Sequence, residues 1–223
     1  MTQTSDIPIL TIDGPSGAGK GTVSRAVANH LGWRYLDSGA IYRALAYAAV
    51  QQRLDLADAD ALVRLAETLD LTFKTGSSSG VFLGGVDITQ ELSTETTGNA
   101  ASIIAALAPV RKSLFEKQRA FRRLPGLVAD GRDMGTVVFP EARYKVFLTA
   151  TAEERALRRY KQLKEKGMDV NLTGLTEEIE ERDQRDRERA EAPLRPADDA
   201  VVIDSTTLGI EAVIAACLAR VAG

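Results

Sequence analysis

ILTIDGPSGAGKGT, residues 9–22, joins a short apolar run to a glycine-rich turn ending in a lysine and a threonine, and an apolar-periodic segment follows it. A strand that stops in such a turn and feeds a helix leaves several backbone N–H groups aimed at one spot, where the helix macrodipole adds positive potential. The stretch reads as a cradle for a polyphosphate. Gly14, Gly17 and Gly19 admit backbone angles closed to other residues, and Lys20 brings a mobile cation to the outer phosphates. Pro15, Ser16, Ala18 and Gly21 complete the loop. The match to G-x-x-x-x-G-K-(S/T) is incomplete, because Gly21 stands where the pattern places the hydroxyl that ligates magnesium and the hydroxyl follows at Thr22. An ordinary glycine turn is the alternative, and the lysine in a strand-turn-helix setting argues against it.

Around this loop, 223 residues suffice to bury a full core. Hydrophobic residues make up 44% and charged residues 26%, a globular balance that needs no disordered segment. A net charge of -3 and a pI near 5.4 exclude a general nucleic-acid binder, whose phosphate contacts demand a basic surface. Any anion is held locally. Residues 1–8 carry neither a basic n-region nor an apolar h-region, and no window approaches the roughly 18 apolar residues of a membrane span. We therefore expect a cytoplasmic protein without a membrane or nucleic-acid partner, and a monomer. Cys217, the only cysteine, lies in an apolar C-terminal helix pattern and reads as core, leaving no disulfide and no cysteine metal site. His30, the only histidine, ends the first helix pattern beside Leu31-Gly32 and receives a cap or surface role.

Strand-like runs recur at 9–13, 127–130, 145–148 and 200–204, with a short candidate at 34–37, and long helical patterns separate them. Such alternation predicts a parallel sheet covered by helices. Three runs end in an aspartate followed by Gly or Ser, at Asp13-Gly14, Asp37-Ser38 and Asp130-Gly131, so polar groups gather at the carboxyl ends where open α/β sheets bind ligands. Two stretches break the alternation. Residues 71–98 hold glycines, serines and short β-prone segments, which predicts a small antiparallel insertion with a Ser-rich turn at 77–80. Residues 153–195 are dense in charge of both signs, interrupted at 167–174 and stopped by Pro193 and Pro196, and read as two helices joined by a loop in a lid-like excursion.

In EERDQRDRER, helical spacing puts Arg182, Arg185, Asp186 and Arg189 on one face. Alone, the segment reads as a solvated helix laced with ion pairs of about 0.3–0.5 kcal/mol each. Beside a phosphate loop it reads as guanidinium groups for bidentate phosphate contacts. Arg155, Arg158 and Arg159 form a second such cluster, with surface charge as their plain alternative. DSGAIYR, residues 37–43, starts at a strand end and enters a helix whose apolar face holds Ile41, Leu45 and Ala48. Ser38 there would cap the helix or face a ligand, and Arg43 could meet a phosphate. DGRDMG, residues 130–135, has the same strand-end position and adds Arg132 and Asp133, either a salt-bridged turn or a compact approach for substrate.

The phosphate loop with DSGAIYR, DGRDMG and RDQRDRERA, in this order and spacing, resembles the bacterial cytidylate kinase family over essentially the whole chain. The loop pattern alone is shared with adenylate kinases; the other three blocks are specific to the cytidylate branch. The resemblance implies an α/β fold: a P-loop NTPase-like parallel five-stranded sheet with flanking helices, a β-containing monophosphate-binding insertion at about 65–102 and a short helical lid at about 153–191, within one kinase domain spanning 1–223. It implies transfer of the ATP γ-phosphoryl group to CMP or dCMP with Mg2+, without a covalent enzyme intermediate. By the same resemblance residues 14–22 bind the ATP phosphates, with Arg155, Arg158 and Arg159 as further ATP contacts. Ser38, Ser102, Arg111 and Asp133 surround cytosine, Arg182 and Asp186 the pentose, and Arg43, Arg132 and Arg189 the acceptor phosphate, with Tyr42 another substrate contact. Thr22 or Asp130 would stand behind the metal, and Lys20, Arg132 and Arg189 would carry the charge of the transferring group. The residue chemistry agrees: cytosine shows an amino donor beside two acceptors, so a carboxylate with an arginine or hydroxyl is complementary to it. Two rival readings remain, a P-loop kinase for another small acceptor such as adenylate or shikimate, and a nucleotide-dependent switch. The switch fits poorly, since no NKxD motif occurs.

Overall fold

The computed structural model describes residues 7–74, 80–165 and 167–222. They divide into two compact units, one formed by the chain up to Leu36 with Arg119 onward, the other by residues Asp37–Gln118.

In the first unit, strands β1 (Ile9–Asp13), β2 (Arg34–Asp37), β6 (Leu127–Gly131), β7 (Tyr144–Thr149) and β8 (Val201–Asp204) form one sheet in the order β2-β6-β1-β7-β8. β1 pairs in parallel with β6 and β7, and β7 in parallel with β8. A strand with neighbours on both edges and helices on both faces must be apolar nearly throughout, and all five residues of β1 are buried. Helices α1 (Lys20–Leu31) and α8 (Ile210–Ala222) contribute Val23, Val27, Ala28, Val213 and Cys217 to a core with Leu10, Ile12, Val128, Val146 and Leu148. The cysteine is core, as expected. Gly32 closes α1 in the left-handed region at φ 65°, its N–H bonding to the carbonyls of Ala28 and Asn29.

The charged excursion folds as helices α6 (Ala152–Glu165) and α7 (Leu172–Glu188). Its connection is shorter than 167–174, because the Asn171 side chain accepts from the Thr173 N–H at 3.0 Å and starts α7 there, taking Gly174 into the first turn. The five strand runs fall where the sequence places them.

The second unit holds α2 (Ser38–Gln51), α3 (Ala59–Thr68), α4 (Glu95–Ile104) and α5 (Ala108–Arg119), with β3 (Leu71–Lys74), β4 (Gly80–Leu83) and β5 (Val86–Asp87) in a separate antiparallel sheet. The antiparallel insertion is present; residues 77–79 of its Ser-rich turn lie outside the described residues, and Gly80 opens β4. Ile41, Leu45 and Ala48 are buried on α2. Asp37 rather than Ser38 caps that helix: its carboxylate accepts from the Ala40 N–H at 2.9 Å, the reach an N-cap side chain has, and Ser38 already lies inside the first turn. Among the described residues no helix is long and apolar enough to cross a membrane.

Candidate active site

β1 delivers the chain into the loop with Gly14, Gly17 and Gly19 at φ 148°, 78° and 89°. Gly14 has no alternative, since a Cβ there would stand 1.9 Å from the carbonyl oxygen of Leu148. Gly19 is the N-cap of α1 and supplies no side chain to its first N–H groups, and no acidic residue occupies the first turn. The helix end is thus left open to an anion.

Lys20 is buried and its Nζ donates to the Pro15 carbonyl at 2.7 Å. Burial pulls its pKa down to about 7; nearby Arg132 and Arg182 act in the same direction, and Asp130 and Asp13 oppose them. An anion brought to this spot would offset the crowding of cations and raise the Lys20 pKa again. Asp130 is buried beside the loop, its Oδ2 accepting from the Tyr35 hydroxyl at 3.3 Å, and a Cβ on Gly21 would lie 3.6 Å from the same oxygen. Thr22 is exposed.

β6 leads into DGRDMG, where a π turn at Met134–Val138 follows Asp133, whose carbonyl accepts from the N–H groups of Val137 and Val138. Asp13 ties this turn to the phosphate loop: its carboxylate accepts from the Met134 N–H at 2.8 Å and the Gly135 N–H at 2.7 Å. Arg132 pairs with Asp186 of α7, Nε to Oδ2 at 2.8 Å. Its guanidinium thus takes a buried partner from another element. Arg189, the C-cap of α7, bonds to the other oxygen of Asp186. Burial alone would raise the Asp186 pKa, but Arg132 and Arg189 outweigh it and hold the carboxyl below its usual range. Asp186 is an anion held between two guanidinium groups.

Arg155, Arg158 and Arg159 do not form one cluster open to a ligand. Arg155 is buried and donates to Ser16, Ala150 and Asp183. Arg158 donates to the Ser205 carbonyl and hydroxyl and to Glu154. Arg159 is half-buried one residue on.

In the second unit, the Ser38 hydroxyl donates to Gln118 Oε1 at 2.7 Å, both side chains being buried. Gln118 has no counterpart in the sequence reading, nor does Asp183. Arg111 lies over the Tyr42 ring, 6.0 Å from its centroid, and reaches the Ala105 carbonyl. The guanidinium of Arg43 folds back over Gly39, where a Cβ would come within 2.9 Å of it. Ser102 is buried, and among the described residues its hydroxyl has no hydrogen-bond partner. A buried orphan hydroxyl awaits an acceptor or donor.

A family model described as cytidylate kinase matches residues 10–222. This chain belongs to the cytidylate kinase family. A cytidylate kinase from Methylococcus capsulatus is 65% identical over 215 residues, covering 96% of this chain and 97% of that one. Another, from Stutzerimonas stutzeri, is 57% identical over 219 residues, covering 97% and 96%. A solved gluconokinase from Sinorhizobium meliloti 1021 aligns over 97% of this chain and 91% of its own, with 16% identity and a TM-score of 0.47. Cytidylate kinases of near-equal length thus match this chain over nearly its whole length.

Proposed function

We infer that this chain is a nucleoside monophosphate kinase that transfers the γ-phosphoryl group of ATP to CMP or dCMP, giving CDP or dCDP. The observation that carries this is the cytidylate kinase match over residues 10–222, on a chain whose phosphate loop gathers Lys20, Asp130, Arg132 and Arg182. Residues 14–22 are assigned to the ATP phosphates, with Arg158 and Arg159 as further ATP contacts. Arg132 and Arg189 are assigned to the acceptor phosphate with Arg43, and Arg182 and Asp186 to the pentose. Ser38, Ser102, Arg111 and Asp133 are assigned to cytosine, with Tyr42 stacked under Arg111. The orphan hydroxyl of Ser102 supports its place in this set.

Lys20 exchanges the Pro15 carbonyl for an ATP phosphate and regains its full charge. The acceptor phosphate is already an anion, so no histidine base is needed; alignment of donor and acceptor with neutralisation of charge supplies the catalysis. Asp186 holds Arg132 and Arg189 in place before substrate arrives, which avoids ordering them during the reaction. A magnesium ion would suit the loop end, where Asp130 offers a hard oxygen beside Gly21. The phosphates and water would hold the ion, with Asp130 or Thr22 behind them, and when bound it neutralises charge on the phosphates. Closure of α6 and α7 would exclude water that otherwise hydrolyses ATP. The site of action is assigned to the cytoplasm.

A coupled spectrophotometric assay of ADP formation from ATP tests this with CMP, dCMP, UMP, AMP and GMP as acceptors. CMP and dCMP should give the highest kcat/KM. Preference for AMP would move the chain to another acceptor class, and slow hydrolysis of ATP to ADP and phosphate with no CDP formed from CMP would make it a switch.

A further inference from the structure

Arg155 and Asp183 are an ion pair with 3% and 2% side-chain exposure. Both Asp183 oxygens accept from the guanidinium, Oδ1 from Nη1 at 3.1 Å and Oδ2 from Nη2 at 2.5 Å. Arg187, one turn further along α7, reaches Oδ2 at 3.4 Å from a mostly exposed position. The remaining bonds of Arg155 go to backbone: Nε donates to the Ala150 carbonyl at 3.0 Å and Nη1 to the Ser16 carbonyl at 2.9 Å. One guanidinium therefore joins the phosphate loop, the entry to α6, and α7. The loop also rests on the stem of this residue, since a Cβ on Gly17 would lie 3.1 Å from the Cβ of Arg155.

A trans peptide unit points its C=O and N–H in opposite directions. By holding the Ser16 carbonyl, Arg155 turns the Gly17 N–H to the side away from α6. A phosphate cradle works only while its carbonyl oxygens stay out of the anion's place. Gly17 is at φ 78° and has no side chain of its own to restrain that peptide. We propose that Arg155 and Asp183 are a positioning pair for the phosphate loop. Asp183 fixes the guanidinium, the guanidinium fixes the Ser16–Gly17 peptide, and that peptide presents its N–H to ATP. Arg155 then acts on ATP without touching a phosphate. The inference rests on residues 14–22 being the ATP site.

If ATP instead drew Arg155 out to grip a phosphate, Asp183 would compete with ATP and the two readings would differ in sign. Asp183→Asn loosens the grip on the guanidinium. The positioning role predicts a KM for ATP raised about tenfold, with the KM for CMP within about twofold and kcat within about threefold of wild type. A competing role predicts a KM for ATP lowered or unchanged. Weakening one member of a buried pair strands the other charge, whereas an apolar replacement of both can keep the fold. Arg155→Met/Asp183→Leu is therefore the second variant, assayed well below its own melting temperature, and it should show the same rise in ATP KM. An unchanged or lowered ATP KM in either variant overturns the pair's role. A wild-type chain that failed to phosphorylate CMP would overturn the reading beneath it, and is seen separately.

Discussion

Adding one methyl group to Gly14 would put a Cβ 1.9 Å from the carbonyl oxygen of Leu148 and 3.0 Å from its carbonyl carbon, both backbone atoms. Ordinary carbon–oxygen contact starts above roughly 3 Å, so the end of β1 would have to part from β7 by about an ångström just beyond the Asp13–Phe147 pairing. Overpacking costs about 1–3 kcal/mol where side chains can give way. Here two central strands must move and φ of 148° is itself closed to alanine, so we expect about 3–5 kcal/mol. For a chain of this size that corresponds to a fall in Tm of about 10–15 °C. Two control substitutions separate the clash from a general intolerance of the loop. Gly19→Ala meets nothing within 4 Å and carries only left-handed strain, about 1–2 kcal/mol. Gly21→Ala meets Asp130 Oδ2 at 3.6 Å and the Tyr35 hydroxyl at 3.7 Å, ordinary contacts, and should change stability by less than about 0.5 kcal/mol. Thermal melts of the three purified variants give the order. A Gly14→Ala melt within about 3 °C of wild type, or a Gly21→Ala melt as low as that of Gly14→Ala, would refute the packing argument.

Asp13 gives a pH test: burial lifts its pKa from 3.8 to about 7 despite the bonds from Gly135 and Met134. Between those values the folded chain keeps a proton that the unfolded chain releases, so this carboxyl's contribution falls as pH rises to about 7 and stays lost above it. The Tm of Asp13→Asn minus that of wild type should therefore climb from pH 5 to pH 8, and a difference independent of pH would remove Asp13 as its source. Lys20→Ala should cut kcat by about 10²–10³ while the melt holds, since the ammonium is buried at a cost and serves phosphate; near-normal kcat would exclude Lys20 from the transfer. Arg132→Ala and Arg189→Ala should weaken CMP binding by about 1.5–3 kcal/mol each with less effect on ATP, and calorimetry showing the reverse would place them on the other nucleotide. Asp133→Asn should narrow the CMP to UMP ratio of kcat/KM about 10–100-fold, and an unchanged ratio would end the assignment of base reading to Asp133.

The sheet was legible because β1 and β6 are buried throughout and must spell themselves as largely apolar runs, and because a glycine turn with lysine has few other uses. Partners across long separations were not. Arg132 sits beside Asp133 in sequence, yet its carboxylate is Asp186 on another element, and no periodicity encodes where α7 comes to rest. Asp183 lies three residues before Asp186, but the face expected from the sequence did not include it, and only the fold reveals Arg155 as its partner. Gln118 behind Ser38 left no signal at all. The α2 cap was ambiguous for a local reason, since Asp37 and Ser38 are both capping residue types and stand side by side. Gly174 looked like loop because glycine is a poor helix former; the asparagine cap at 171 decided otherwise.

Strand order has a consequence for synthesis. β1 is made first, but Ile9 finds its pairing partner on β6 only at Leu127, and on the other side β7 begins only at Tyr144. Every residue of the unit Asp37–Gln118 is made before either partner strand exists. On a ribosome the second unit can therefore close on its own helices and hairpins, while the apolar β1 waits without a sheet to join. Pairings of such long range are slow to form and leave hydrophobic strand exposed meanwhile. The segment that becomes the phosphate loop's anchor is thus the part of the nascent chain in greatest need of shielding until the second half emerges.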